Sequence, residues 1–460
     1  MATPICPGHH GPMPTSFLHE PAREVPVIQE TDVCVLGGSC TGVFAAIRAA
    51  RLGLSVTLVE RMGSFGGVAT LSMVNVWHSP YDEVFQKQIF AGLTFEVIDR
   101  LKKRGAALQH EKNPAYAWNF NSAEMQIELD EMVLENRITP WLHTAFVAPH
   151  VENGQLTAII VENKSGRGAI KARFFIDATG DGDLCHRLGL ATYTSSHSQP
   201  STTCAHFAGW ETLDGKDWGK TVIQHAAEYN IPEGFAWGAY IPNTKVYMLA
   251  GTRVYDSCAD AAGFTRAEIE GRRQVRAISD IVNKHVEGAN VRLHTLPARI
   301  GIRETRHVRC GYQLTGPDVL HGRTFPDAIA NGSYRVDIHH TEKPGITFRY
   351  LDGTELYVRP GHPGQQGRWR PETDTNPTFY QIPYRSIVPE GPYGNVLAAG
   401  RFIDADEEAH AAIRVMVNMN QTGEAAGTAA YLALKNNVAA RDVKPELLRG
   451  ILTENGSIML

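Results

Sequence analysis

The sequence predicts an α/β protein in which a dinucleotide-binding sheet is interrupted by a large α+β insertion. Three observations carry this. Residues 32–60 read as strand, glycine-rich turn, alanine-rich helix, strand and acidic residue, in that order. Three strand-like runs separated by turn signals follow between 138 and 176. After a long stretch of different character, residues 196–384, sequence rich in small residues returns near the carboxyl end.

In the first unit, residues 32–36 (DVCVL) form a short apolar strand and VLGGSCTG (residues 35–42) turns the chain. Gly37 and Gly42 occupy the first and last positions of a G-x-G-x-x-G loop. Ser39 stands at the middle one, and Gly38, Cys40 and Thr41 complete it. The middle glycine ordinarily allows close backbone approach. Serine adds a β-carbon and a hydroxyl that can itself bond a phosphate oxygen, so Ser39 is read as tolerated. Residues 43–51 (VFAAIRAAR) read as a helix whose alanines permit close packing on a sheet, and Gly53 ends it in the left-handed conformation. Residues 55–59 are the second strand and Glu60 sits at its tip. This is a complete Rossmann-type βαβ unit: the helix amino end faces a pyrophosphate and Glu60 accepts from a ribose hydroxyl. A plain strand–turn–helix accounts for the glycines alone but not for Glu60.

Arg61 and the pair Gly66-Gly67, followed by Val68, extend the glycine-rich character past the acidic residue. A nicotinamide domain does not need that second pair. A longer cofactor with a ribityl and flavin portion does, which makes FAD the expected cofactor.

The bulk numbers agree. A chain of 460 residues is long for one core. It is 43% hydrophobic and 20% charged with a net charge of -5, and has no long like-charged run to suit nucleic acid. No apolar stretch reaches membrane length, and the first residues lack the basic-then-apolar pattern of a secretory signal. Seven cysteines without a CxxC pair argue against a disulfide framework. The expectation is a cytoplasmic protein with reduced thiols and a small-molecule substrate, with no nucleic acid or membrane partner; homo-oligomerisation is left open.

Further along, residues 81–103 read as a helix, as do 122–135, with Ser122 and Gln126 near capping positions. Strands are expected at 138–148, 155–162 and 169–176, the last running into DATGDGDLC (177–185), where Ala178, Thr179, Gly180 and Asp181 would present backbone to a ligand. Within 196–384, residues 202–210 read as a strand. Residues 265–286 read as a helix with a Thr265/Glu268 capping box and a buried face of Ile269, Val275, Ile278, Ile281 and Val282. Residues 360–367 read as an exposed loop. A short buried strand at 395–399 then leads to Gly400-Arg401. A helix at 423–434 is expected to have its amino end at Asn420, Gln421 and Thr422, beside Gly423, where it would stabilise negative charge on a flavin.

Several separated motifs together resemble the bacterial FAD-dependent oxidoreductases of glutathione-reductase-like fold, often encoded near carbohydrate-catabolism genes. They are GGVAT (66–70), DATGDGDL (177–184), IGIRETRHVRCGYQLTGPDV (300–319), VDIHH (336–340), YQIPYRSIVP (380–389), AAGRFIDADEEAHAAIRVM (398–416) and GEAAGTAA (423–430). The resemblance implies non-covalent FAD in a Rossmann-type domain built from residues 28–195 and 385–440, with a substrate domain, 196–384, inserted. It also places Phe146 where the first meander strand passes the adenine. Ser39 and the stretch DADEEAH depart from the family pattern.

A flavin carries the hydride, so the protein must position substrate and supply an acid or base. Histidine is the simplest base near neutrality. His78 and His410 flank segments expected near the isoalloxazine and rank above His339, each weighed against an ordinary packed histidine. Among Arg303, Arg306, Arg385, Arg401 and Arg414, the run at 303–306 suits an ion-pair network, while Arg414 is placed at the cofactor. His78, His410 and Arg414 are the expected catalytic set. Cys40 is read as packing. Asp181 and Asp183 fit a turn beside the cofactor, so no metal is expected. The expected activity is FAD-dependent oxidation or reduction of a polar, hydroxylated or sugar-like small molecule through flavin N5. The alternatives are a hydroxylase using NAD(P)H and oxygen, or a non-redox protein with structural FAD.

Overall fold

The computed structural model describes residues 16–232 and 237–460. β1 (Val27–Leu36), α1 (Cys40–Arg51) and β2 (Val56–Val59) form the βαβ unit, with β1 and β2 parallel and Leu36 opposite Val59. The carboxyl half of β1 and all of β2 are buried, as expected of parallel strands covered on both faces. Gly53 ends α1 with φ +94°, as read from the sequence.

Seven strands make the main sheet. Thr139–Trp141, β2, β1 and Gly166–Asp177 run side by side in parallel. The strand Gly166–Asp177 then serves two neighbours. Its first half pairs antiparallel with Gln155–Asn163 and, beyond it, Ala145–Glu152; its end pairs in parallel with Val396–Ala398. The returning carboxyl-terminal segment is thereby stitched beside the DATGDGD turn. The span 138–148 is two strands rather than one. His143, with φ +50°, breaks it and sends the two halves to opposite edges of the sheet.

Other expected elements are shifted. Within 81–103 only Leu93–Lys103 is helical; positive φ at Phe85 and Gly92 breaks the preceding stretch, and Asp82 instead accepts from the amides of Gln86 and Lys87 in a tight loop. The helix Ser122–Glu135 is capped by Asn121, not Ser122. The long helix of the 196–384 region is Ala261–His285, capped by Asp260. Thr265 lies a turn inside it and donates to the Ala261 carbonyl, while Glu268 accepts from the Ile300 amide, so no capping box forms. Ile269 is 59% exposed, and the helix buries Val275, Ile278, Ile281 and Val282 without it. Gln365–Arg368 is an exposed edge strand rather than a loop.

Two four-stranded antiparallel sheets lie in the 196–384 region, beside the antiparallel pair Ala328–Gly332 and Tyr380–Pro383. One has the order Trp237–Tyr240, Tyr247–Ala250, Cys204–Ala208, Arg292–Thr295; the other runs Val336–His339, Ile346–Arg349, Thr354–Val358, Gln365–Arg368. Among the described residues no helix is long and apolar enough to cross a membrane. The six described cysteines are buried and unbridged.

The last long helix, Met416–Asn436, starts well before the expected position. It crosses α1 at a seam of small residues. A Cβ on Gly423 would overlap the Thr41 carbonyl, and one on Gly427 the Ala45 carbonyl, so glycine at both is what allows the two backbones to meet.

Candidate functional site

A narrow cleft runs from the tip of β2 across the amino end of α1 towards the start of the helix Met416–Asn436. Gly37, Ser39, Cys40 and Thr41 line it from the first loop, Glu60 from β2, and Gly66, Gly67 and Val68 from the second glycine pair. Ala178, Thr179 and Gly180 come from the turn after Asp177, and Gly400 and Arg401 from the returning segment. The sequence motifs thus converge although they lie hundreds of residues apart.

Backbone geometry explains the glycines. Gly37 has φ +103°, and a Cβ there would overlap the Ala178 carbonyl. Gly66 and Gly67 also have positive φ, and a Cβ on Gly67 would crowd Ser39. Ser39 caps α1, its Oγ accepting from the Gly42 amide at 3.4 Å. The serine therefore substitutes for the middle glycine by closing the turn. Glu60 accepts from the Gly38 amide through Oε2 and from the Met62 amide through Oε1, both at 2.8 Å. Each oxygen keeps a second lone pair for an outside donor.

Other expected contacts fall away from the cleft wall. Gly38 packs on Phe65 and serves Glu60, and Gly42 lies beneath the loop against Gly37. Arg61 is exposed, 6.0 Å from the Phe264 ring, and Phe146 packs under Arg187. Asp181 lies behind the wall, paired with Arg299 and Arg401 and accepting from Thr305. Burial alone would raise its pKa, but the Arg401 and Arg299 charges outweigh that and hold the carboxylate below its usual range. Gln421, Thr422 and Gly423 do not form the amino end of the last long helix, which begins at Met416. They sit inside the helix, Gln421 exchanging hydrogen bonds with the Asn331 backbone and Thr422 with the Met419 carbonyl. Met416, Met419 and Asn420 line the cleft in their place. Arg299 and Ile300, not expected there, lie just before the run 303–306 read as an ion-pair network.

A second cavity of about 380 Å³ opens off the end of this cleft. Val68, Ile302, Arg401, Arg414 and Met416 line both spaces. Its other walls include the rings of Tyr116, Trp237, Tyr334 and Phe348. His78 faces it, edge-on to Tyr334 with ring centroids 4.2 Å apart, and its buried Nδ1 has no hydrogen-bond partner. Burial, reinforced by Arg335, pushes His78 down to about 3. His339 also lines the cavity, with Nε2 3.3 Å from Asp337 Oδ1; burial and the nearby Arg303 push it to about 3. Arg414 donates to Gln199 at 2.9 Å and to the Asp337 carboxylate at 3.3 Å. Burial raises the Asp337 carboxyl, but His339, Arg414 and Arg335 outweigh it and hold the group well below the usual range.

His410 does not reach either space. It is fully buried behind Glu304, with its Nδ1 3.7 Å from that carboxylate and its ring edge-on to His307. Glu304 already accepts from Ser195, from the Gln199 amide and from His307. His339, ranked behind His410 from the sequence, joins His78 on the cavity wall.

A glycine-lined cleft over a helix amino end, an acid at the tip of the second strand and a cavity at the far end define a dinucleotide-binding α/β protein with an adjoining ligand site. The sequence matches the model of the FAD dependent oxidoreductase family over residues 32–452, and the chain belongs to that family. It is an FAD-dependent oxidoreductase. Solved structures with a similar course include a flavoprotein/dehydrogenase from Cytophaga hutchinsonii, 14% identical, covering 93% of this chain and 84% of that one, with a TM-score of 0.45. A geranylgeranyl bacteriochlorophyll reductase-like protein from Thermoplasma acidophilum is 11% identical over 93% and 83% of the two chains, with a TM-score of 0.45. The p-nitrophenol 4-monooxygenase PnpA from Pseudomonas putida DLL-E4 is 10% identical over 93% and 89%, with a TM-score of 0.44. A search of curated proteins returns no match.

The residues present fit FAD. The cleft offers backbone at five glycines of positive φ, Gly37, Gly66, Gly67, Gly180 and Gly400, where a long cofactor must pass close. The buried Nε atoms of Arg299, Arg401 and Arg414 and the Oδ1 of Asn420 have no hydrogen-bond partner, and all four residues line it. Polar atoms left bare on the wall of a narrow cleft are what a pyrophosphate and the polar edge of a flavin would satisfy.

Proposed function

We propose that this protein oxidises, or reversibly reduces, a polar and hydroxylated small molecule in the 380 Å³ cavity, using non-covalent FAD in the adjoining cleft. The observation that carries this is the shared wall: Val68, Ile302, Arg401, Arg414 and Met416 face both spaces. When bound, the flavin supplies a hydride acceptor or donor at N5. Glu60 would hold the adenosine ribose and the first loop the pyrophosphate, as in glutathione-reductase-like proteins. His78, neutral and with Nδ1 free, would take the proton of a substrate hydroxyl. Arg414, fixed by Gln199 and Asp337, would orient the substrate. Residues 196–384 supply much of the cavity lining, including Trp237, Arg303 and Phe348, which supports reading that stretch as the substrate side. The unbridged cysteines suit a reducing, cytoplasmic setting.

The test is anaerobic. A panel of hydroxylated and sugar-like compounds is mixed with the flavin-loaded protein and the flavin absorbance is followed. Bleaching by one compound supports the reading. NAD(P)H oxidation coupled to oxygen and product hydroxylation would replace it with a hydroxylase. No reduction by any compound or by NAD(P)H would make the flavin structural.

A further inference from the structure

The cavity beside the cleft carries a charge excess that its own walls do not neutralise. Arg253, Arg303, Arg335, Arg401 and Arg414 all line it, and Asp337 is the one carboxylate among the described lining residues. Both lining histidines lie far below their ordinary pKa and add no charge near neutrality. Arg401 is paired with Asp181 behind the wall. With Arg253 left out of the count, Arg303, Arg335 and Arg414 against Asp337 leave two positive charges.

Two of these arginines donate to neutral groups. Arg303 donates to the Pro200 carbonyl and to Thr202 Oγ1, and Arg253 to the Gly345 carbonyl at 3.1 Å. Arg414 takes the single acid, which Tyr334 also engages, its hydroxyl donating to Asp337 at 2.8 Å. Carbonyl oxygens orient a guanidinium without cancelling its charge. Arg335 has neither a hydrogen bond nor an ion pair among the described residues. Its guanidinium carbon lies 4.2 Å from the centroid of Phe348 and 5.3 Å from that of Tyr334, and its Nε is buried without a partner.

Removing charges from water without pairing them is costly, so guanidiniums such as those of Arg303 and Arg335, with no acidic partner among the described residues, are kept where a ligand brings the counter-charge. The planar fork of arginine matches carboxylate and phosphate oxygens two at a time. We propose that the substrate of this cavity is a dianion, a dicarboxylate or a phosphate monoester, whose anionic groups bind Arg335 and Arg303 and whose flat body lies among Tyr116, Trp237, Tyr334 and Phe348. A dianion offsets the two charges of this set, which a neutral sugar would leave in place. This deepens the functional proposal above and rests on the cavity being the substrate site.

Calorimetry on the flavin-loaded protein at low salt tests it, with the flavin spectrum recorded alongside. The probes are succinate, isophthalate and phenyl phosphate, against succinamide, isophthalamide and phenol. The expected result is that at least one dianion binds ten times more tightly than its neutral counterpart and shifts the flavin spectrum. Arg335→Gln should weaken that binding at least tenfold while FAD content and thermal midpoint stay as in the parent. Tighter binding of phenyl phosphate than of isophthalate assigns the phosphate monoester; the reverse assigns the dicarboxylate. A preference below tenfold for every pair, or unchanged affinity in Arg335→Gln, overturns the proposal without needing the variant to crystallise or turn over. The two readings fail separately. Dianion binding that never touches the flavin spectrum removes the redox role of the cavity and keeps its anion class. Flavin reduction by neutral compounds, with no dianion bound, does the opposite.

Discussion

Arg48 and Glu424 form a buried ion pair at the crossing of α1 and the helix Met416–Asn436, with Nε donating to Oε2 at 2.8 Å. Glu424 also accepts from the Leu93 amide at 3.1 Å, so one carboxylate ties three helices together. Both side chains are almost wholly out of water. The crossing sets where the amino end of α1 meets the start of the long helix, and both ends line the cleft.

Glu424→Ala should therefore leave the Arg48 charge buried and unpaired, at a cost of about 3–5 kcal/mol. Replacing both, as Arg48→Met with Glu424→Leu, should cost less than the single change, because no bare charge remains. Urea denaturation of the parent and the variants reads this directly. A single variant as stable as the parent would mean that water reaches Arg48.

Gly37→Ala forces a Cβ into the Ala178 carbonyl at φ +103°, and Glu60→Gln weakens the acceptor that organises the Gly38 and Met62 amides. Each should weaken FAD retention, Glu60→Gln by about 1–3 kcal/mol for a charged hydrogen-bond acceptor lost. The flavin-to-protein absorbance ratio after gel filtration is the measurement. Full flavin occupancy in both variants would displace the cofactor from this cleft.

The cleft was legible because its signals are local. Gly37, Ser39, Gly42 and Glu60 lie within one βαβ unit, and their spacing alone states the geometry. The start of the last helix was not. Asn418 and Asn420 are weak helix formers, and the sequence reading puts the amino end only at 420–422, yet tertiary partners hold Asn418 on Tyr380 and Gln421 on Asn331 within the helix. The 81–92 stretch failed for the converse reason: positive φ at Phe85 has no mark in the sequence. The arginine cavity was also illegible, since Arg253, Arg303, Arg335 and Arg414 arrive from four separate segments and only the fold brings them together. His410 misled because its place beside a motif said nothing of the side on which Glu304 would bury it.

The two cavity histidines make a pH prediction with a definite sign. His78 and His339 lie at about 3 in the folded protein against 6.5 for the free side chain. Below pH 6.5 the unfolded chain binds these protons and the folded one does not, so stability is full above that pH and falls as the solution is acidified towards 3. At pH 5 each histidine should cost about 2 kcal/mol relative to neutral pH. Replacing both with asparagine should flatten the loss between pH 7 and 5 by roughly twice that. Denaturation series at the two pH values decide it, and an unchanged slope would show that the pair is protonated in the fold.

The two histidines first singled out as catalytic should now separate. His78 presents an unpartnered Nδ1 to the cavity, whereas His410 is sealed behind Glu304 and touches neither space. His78→Gln should lower kcat by about 10²–10⁴ if the imidazole takes the substrate proton, with FAD content unchanged. It should also remove the acidic limb of the pH–rate profile, because that limb reports the group that must be neutral. His410→Gln keeps a polar side chain beside Glu304 and removes no group from the cavity, so its loss should appear in thermal stability and leave the shape of the pH profile as it was. The comparison needs both variants in one assay. If His410→Gln abolishes turnover at parental stability while His78→Gln retains it, proton transfer runs through the buried Glu304–His307–His410 cluster, and His78 is a wall of the cavity and nothing more.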